Sequence, residues 1–130
     1  MSDFSLKLSD DQIGLQSWVH GFAEDVVRPA AEEWDEKEEF PYPIVQQAAE
    51  IGLYGWEFMA EMMSNDPTGL TMPVAIEELF WGDAGIGMAI MGSGLAAAGI
   101  LASGSRDQVI EWVPQCYGDA KDLKIGAFCA

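Results

Sequence analysis

At 130 residues the chain is long enough for one domain with a sizeable core, and its 49% hydrophobic content excludes a disordered polymer. Twenty-two acids against six bases give a net charge of −16. Such a surface repels nucleic-acid phosphates and anionic lipid, and it would repel coenzyme A unless that polyanion met a local basic patch.

The opening residues, Met1 to Gln12, carry no basic cluster and no apolar core, so no secretion signal is expected and a cytoplasmic location is. Ser9-Asp10-Asp11-Gln12 is a capping box with acids at the positive helix end. Leu15, Trp18, Val19, Phe22, Val26 and Ala30 then recur at helical spacing, predicting an amphipathic helix to about Trp34 that Pro29 should kink or break. His20 falls at the edge of the apolar stripe and reads as an ordinary boundary residue. With no second imidazole a histidine metal site is excluded, and Cys116 and Cys129 form neither a CxxC pair nor a zinc set. No metal site is therefore expected. The acids Glu32, Glu33, Asp35, Glu36, Glu38 and Glu39 lack the EF-hand spacing and read as a solvated helix end and loop.

Phe40-Pro41-Tyr42-Pro43 is a turn, and Pro43 suits the first turn of a second helix carrying Ile44, Val45, Ala48, Ala49 and Leu53. Gly52 and Gly55 should end it. Residues 56 to 70 read as a loop with one helical turn at most, although Trp56, Phe58 and Met59 are unusually apolar for a loop. Thr71 is placed as the cap of a third helix, with Ile76, Leu79 and Phe80 facing inward. Glu77 and Glu78 are adjacent and cannot share a face, which argues against a catalytic carboxylate pair.

Between Asp83 and Ser105 there is no charge and no proline. Gly85, Gly87, Gly92, Gly94 and Gly99 lie inside this stretch, and five helical glycines cost about 5 kcal/mol relative to alanine. Close approach by another backbone or a flat ligand is the usual offset. The run has the length of a membrane span, but its Gly and Ala content and the lack of flanking bases favour a buried core helix, and no span is expected. Ser105-Arg106-Asp107-Gln108 is a second capping box, opening a fifth helix that Pro114 should disturb. Gly118 to Asp122 is a turn. Lys124 to Ala130 reads as a lone β-strand, which has no partner here, so the chain is expected to be the first domain of a longer protein.

Five segments together resemble the N-terminal helical domain of the acyl-CoA dehydrogenases. They are Val27-Arg28-Pro29-Ala30-Ala31-Glu32-Glu33, Ala49-Glu50-Ile51-Gly52-Leu53-Tyr54-Gly55, Ile76-Glu77-Glu78-Leu79, Gly82-Asp83-Ala84-Gly85 and Ile125-Gly126-Ala127-Phe128-Cys129-Ala130. The expected fold is all-α: an irregular, orthogonal bundle of about five helices over residues 1–123, with 124–130 beginning a middle β domain. The resemblance implies FAD as cofactor and α,β-dehydrogenation of an acyl-CoA thioester. A glutamate takes the α-proton, and in most members it lies in a C-terminal domain, so no catalytic residue is assigned here.

The resemblance further implies that Phe128, Cys129 and Ala130 approach the flavin and that Met88, Met91, Gly92 and Leu95 line the acyl tunnel. For those four, plain core packing is the competing reading. An electron-transfer flavoprotein or similar acceptor and a homo- or heterotetramer are the implied partners. The alternative is a non-catalytic partner subunit of the same fold. The sequence departs from the family in the 56 to 70 loop, where Glu61-Met62-Met63-Ser64-Asn65-Asp66-Pro67-Thr68-Gly69 stands for a common Gly-Gly segment. Small residues in the central helix would widen the pocket for a bulky or branched thioester, such as a sterol side chain.

Overall fold

The computed structural model describes residues 5–64 and 66–129. Its described residues form α-helices joined by short turns, as expected for the all-α class, without a β-sheet. The first rod runs through α1 (Asp10–Phe22), a π-helical turn at Ala23–Val27, and α2 (Arg28–Lys37). The Ser9–Gln12 capping box forms in both directions. Pro29 acts as a break upstream of itself. It has no N–H to donate and its ring crowds the carbonyl four residues back. The chain widens into the π-turn instead, and the Arg28 N–H reaches back five residues to the Ala23 carbonyl.

α3 (Tyr42–Glu50) buries Ile44, Val45, Ala48 and Ala49. It ends in a Schellman motif at Gly52, whose φ of +81° suits a residue without Cβ. The Leu53 N–H donates to the Ala48 carbonyl at 2.8 Å and the Gly52 N–H to Ala49 at 3.1 Å. That turn drops Leu53 and Tyr54 into the core.

Three expectations change here. Residues 56 to 64 are a helix, α4 (Trp56–Ser64), not a loop. Phe58 is buried, and Met59 and Met62 pack on the core at helical spacing. Thr71 is not a cap but the first residue of α5 (Thr71–Gly82), and Asp66 does the capping by accepting from the Thr71 N–H at 2.7 Å. Within α5, Leu79 is buried, but Ile76 is only half-buried and Phe80 is exposed.

The central stretch forms α6 (Ala84–Met91) and α7 (Ser93–Ser103), separated at Gly92, with Asp83 capping the Ile86 N–H at 2.7 Å. Ala84–Ser103 is long and apolar enough to cross a membrane by length and composition, yet only 28% of it is buried. The expectation of a helix buried on all sides fails for that reason: Ile86, Ile90, Ser93 and Ala97 face the core, while Met88, Leu95 and Leu101 face outward. α8 (Arg106–Trp112) starts with the expected Ser105–Gln108 capping box, and Pro114 converts its continuation into a 3-10 turn at Pro114–Cys116.

Lys124 to Cys129 forms no helix and joins no sheet among the described residues. It hangs on two main-chain bonds, Lys124 N–H to Tyr117 carbonyl (2.9 Å) and Gly126 N–H to Cys116 carbonyl (2.8 Å). A strand needs a partner edge, and the 3-10 turn offers only these two acceptors.

Candidate functional site

Four helices leave an apolar groove of about 560 Å³ between them. Trp56, Met59 and Met63 come from α4; Met72, Ile76 and Phe80 from α5; Met88 and Met91 from α6; Gly94, Leu95 and Leu101 from α7. Tyr117 contributes the remaining wall. Among the described residues no charged side chain lines it. The volume falls within the range of about 300–1,000 Å³ typical of small-molecule sites. Five of the lining residues are methionines, whose flexible thioethers adapt to irregular apolar ligands.

Of the residues expected on the tunnel wall, Met88, Met91 and Leu95 do line this groove, with Met88 49% and Leu95 55% exposed. Gly92 does not. It lies at the break between α6 and α7, and a Cβ there would meet the Met88 carbonyl of its own rod at 2.8 Å. The glycine that serves the groove is Gly94, where an added Cβ would sit 3.5 Å from both the Met59 methyl and the Tyr117 hydroxyl. Met59, noted only as unusually apolar for a loop, and Met63 were not placed on the groove because the α4 stretch reads as a loop, and Tyr117, in a turn outside any helix, has no periodicity to place it. The Met59-x-x-Met62-Met63 spacing after Trp56 was the available signal.

Behind the groove lies a polar knot that fixes its back wall. The Tyr54 hydroxyl donates to the Lys124 carbonyl at 2.5 Å and lies 2.7 Å from the Ser93 Oγ. A carbonyl can only accept, so Ser93 donates to Tyr54 and accepts in turn from the Gly126 N–H at 3.0 Å. Burial pushes the Tyr54 phenol up, against the lowering effect of its Ser93 bond. Tyr117 stacks edge-on against Tyr54 with ring centroids 5.3 Å apart, and burial, then the nearby Tyr54 and Cys116, push its phenol up to about 12.

Phe128 and Cys129 lie beside a shallow second hollow that they share with Gly99, Ile100, Trp112 and Cys116. The Phe128 ring sits over Gly99, where a Cβ would be 3.2 Å away. The N–H groups of Phe128 and Cys129 bond to nothing among the described residues. Ala130, expected with them, lies outside the described residues.

Of the two adjacent acids, Glu77 is exposed and Glu78 half-buried and engaged by other partners. Glu78 Oε2 is 2.7 Å from His20 Nδ1, and its Oε1 accepts from Gln16 at 2.8 Å. His20 in turn stacks on Trp81, which carries the Arg28 guanidinium over its ring. These contacts clamp α1 and the start of α2 to α5. Among the described residues no three of His, Cys, Asp and Glu converge on a point that could hold a metal ion.

A small helical domain presenting one uncharged groove of ligand size, backed by buried tyrosines, is the class that these features define. Residues 9–118 match the family described as "Acyl-CoA dehydrogenase, N-terminal domain", and the chain belongs to that family. It is similar to the probable medium-chain specific acyl-CoA dehydrogenase 2, mitochondrial, of Caenorhabditis briggsae, with 31% identity over 80% of this chain and 26% of the relative. It is similar also to the mitochondrial isobutyryl-CoA dehydrogenase of Dictyostelium discoideum, 28% identical over 96% of this chain and 29% of the relative. The (2S)-methylsuccinyl-CoA dehydrogenase of Cereibacter sphaeroides is 34% identical over 72% of this chain and 17% of its own length. The chain thus spans between about a sixth and three tenths of the relatives that it matches.

Proposed function

We propose that this chain supplies the helical N-terminal part of a flavin-dependent acyl-CoA dehydrogenase and that its groove receives the acyl chain. The observation that carries the proposal is the uncharged groove across α4 to α7, in a chain of this family. Each methylene buried there is worth about 0.8 kcal/mol, so binding tightens with chain length until the groove is full. The low floor at Gly94, Ala97 and Ala98 favours a bulky or branched acyl group, with a sterol side chain as one candidate. The net charge of −16 disfavours the coenzyme A head on this surface, so its phosphates would be held by basic groups elsewhere.

No residue of this chain is offered as the base. Glu78 is occupied by His20 and Gln16, and by resemblance the base lies in a C-terminal domain. The free N–H groups of Phe128 and Cys129 beside an apolar ring suit the polar edge of a flavin, so these residues would help hold FAD. FAD, when bound, supplies the hydride acceptor. The chain's own part is to bind the alkyl portion, orient it and exclude water. An electron-transfer flavoprotein as acceptor, a tetrameric assembly and a cytoplasmic setting complete the proposal.

The test uses a polypeptide that extends this chain through the remaining family domains. Under anaerobic conditions, acyl-CoAs of increasing length and bulk should bleach its flavin, fastest with those that fill the groove. No bleaching with any acyl-CoA would overturn the dehydrogenase proposal and favour a non-catalytic partner subunit. Bleaching indifferent to acyl length and bulk would overturn the groove assignment.

A further inference from the structure

The groove is apolar along its wall except at one point. Tyr117 is 2% exposed, and its hydroxyl has no hydrogen-bond partner among the described residues. Its neighbour Tyr54 has two. Buried hydroxyls are normally bonded, so each exception calls for an explanation. Phenylalanine would keep the edge-on contact with Tyr54 without leaving an oxygen unpaired. The hydroxyl lies where the missing side chain of Gly94 opens the wall: a Cβ there would sit 3.5 Å from it and equally far from the Met59 methyl. A methionine thioether is the most readily displaced cover that a groove can have.

We infer that Tyr117 is a specificity-determining hydrogen-bond donor for an oxygen carried on the acyl chain itself, away from the thioester. A ketone or hydroxyl oxygen would reach it as Met59 shifts. The inference rests on the groove being the acyl site. A plain alkyl chain would leave the hydroxyl orphaned, whereas an oxygenated chain would satisfy it, and a site built to hydrogen-bond a substrate discriminates against the analogue that lacks the partner. Burial keeps this phenol protonated, and so a donor, throughout the physiological pH range.

The test titrates this chain with neutral N-acetylcysteamine thioesters, which its negative charge does not repel. The probes are the dodecanoyl thioester and four analogues, each with one ketone at a different carbon. Fluorescence of Trp56 in the groove wall reports binding, identified by its loss in Trp56→Phe. At least one ketone should bind about 3- to 10-fold tighter than the dodecanoyl thioester, the range expected for one added hydrogen bond. Tyr117→Phe should erase that preference, so that the ketones and the dodecanoyl thioester bind alike, and melt no lower than the parent. If all five thioesters bind alike, the Tyr117 assignment is overturned and the groove stands. If Tyr117→Phe melts lower, the hydroxyl has a structural partner and the assignment is overturned as well. If no thioester binds, the groove assignment and this inference fall together.

Discussion

Replacing Gly126 with alanine tests how the 124–129 tail is seated. The Gly126 N–H donates to the Cys116 carbonyl at 2.8 Å and to Ser93 Oγ at 3.0 Å. A Cβ at this position would lie 2.9 Å from the Cys116 Cβ, 3.0 Å from the Ala96 Cβ and 3.2 Å from the Cys116 carbonyl. None of those atoms is the end of a flexible side chain, so the tail must lift. Overpacking of this kind costs about 1–3 kcal/mol. Lifting also stretches two bonds worth about 0.5–1.5 kcal/mol each. The alanine recovers about 0.4–1 kcal/mol by restricting the unfolded chain. A net loss of about 1–5 kcal/mol follows, which lowers Tm by roughly 3–20 °C in a domain of this size. The control is Gly14→Ala, in the exposed middle of α1 with nothing within 4 Å of the new methyl. It should gain about 0.5–1 kcal/mol from helix propensity alone. Thermal melting followed by far-UV circular dichroism reads both. A Gly126→Ala variant melting at or above the parent, with Gly14→Ala raised as expected, would refute the seating of the tail described above.

Gly94→Leu should fill the groove against Met59 and Tyr117 and weaken dodecanoyl thioester binding more than 10-fold, whereas Gly92→Leu, whose Cβ would meet the Met88 carbonyl, should lower Tm and cost less binding; equal binding losses in a fluorescence titration would contradict this. The Asp66 carboxyl is held down at about 2 by the Thr68 hydroxyl first and the Thr71 N–H next, so its contribution to stability is present above about pH 4 and lost as pH falls towards 2. Asp66→Asn should flatten that part of the acid unfolding curve, and an unchanged slope would show that the bonds to Asp66 do not stabilise the fold. Tyr117, pushed up to about 12, works in the opposite sense: its contribution is full below pH 10 and is lost as pH rises towards 12, so Tyr117→Phe should show a shallower alkaline decline in urea melts.

Local chemistry was the most legible part of the sequence. Ser9 and Ser105 each need only a partner three residues on, Asp83 needs only the next turn, and Gly52 needs only its own φ; all four behave as their neighbours dictate. α4 was missed because Trp56–Ser64 holds its helix through Phe58, Met59 and Met62 docking on the core, a tertiary contact that local residues do not announce. Thr71 failed as a cap because the helix already includes it: Asp66, five residues upstream, accepts from the Thr71 N–H, and the Thr71 hydroxyl accepts from Gln12 instead. The burial of α6 and α7 was overestimated because an uncharged helix is the same string whether its second face meets protein or forms a groove wall. Met88, Met91 and Leu95 were named from the family resemblance, which could not tell Gly92 from Gly94; only the break between α6 and α7 sets the rotation of α7.

The separation of charge from the groove makes the molecule an amphiphile on the scale of a whole domain. Glu32, Glu33, Asp35, Glu36, Glu38 and Glu39 are all exposed on α2 and the turn after it, while the groove wall has no charge among the described residues. In dilute buffer the acidic surfaces hold copies apart through repulsion reaching about 8 Å at physiological ionic strength, shrinking to about 3 Å at 1 M salt. Apolar attraction between groove faces is not screened, and sulfate strengthens it. Colloidal stability therefore runs opposite to the habit of adding salt to keep a protein in solution. Low ionic strength, or an alkyl chain lying in the groove, keeps the copies dispersed, and salting out brings the methionine-lined faces together.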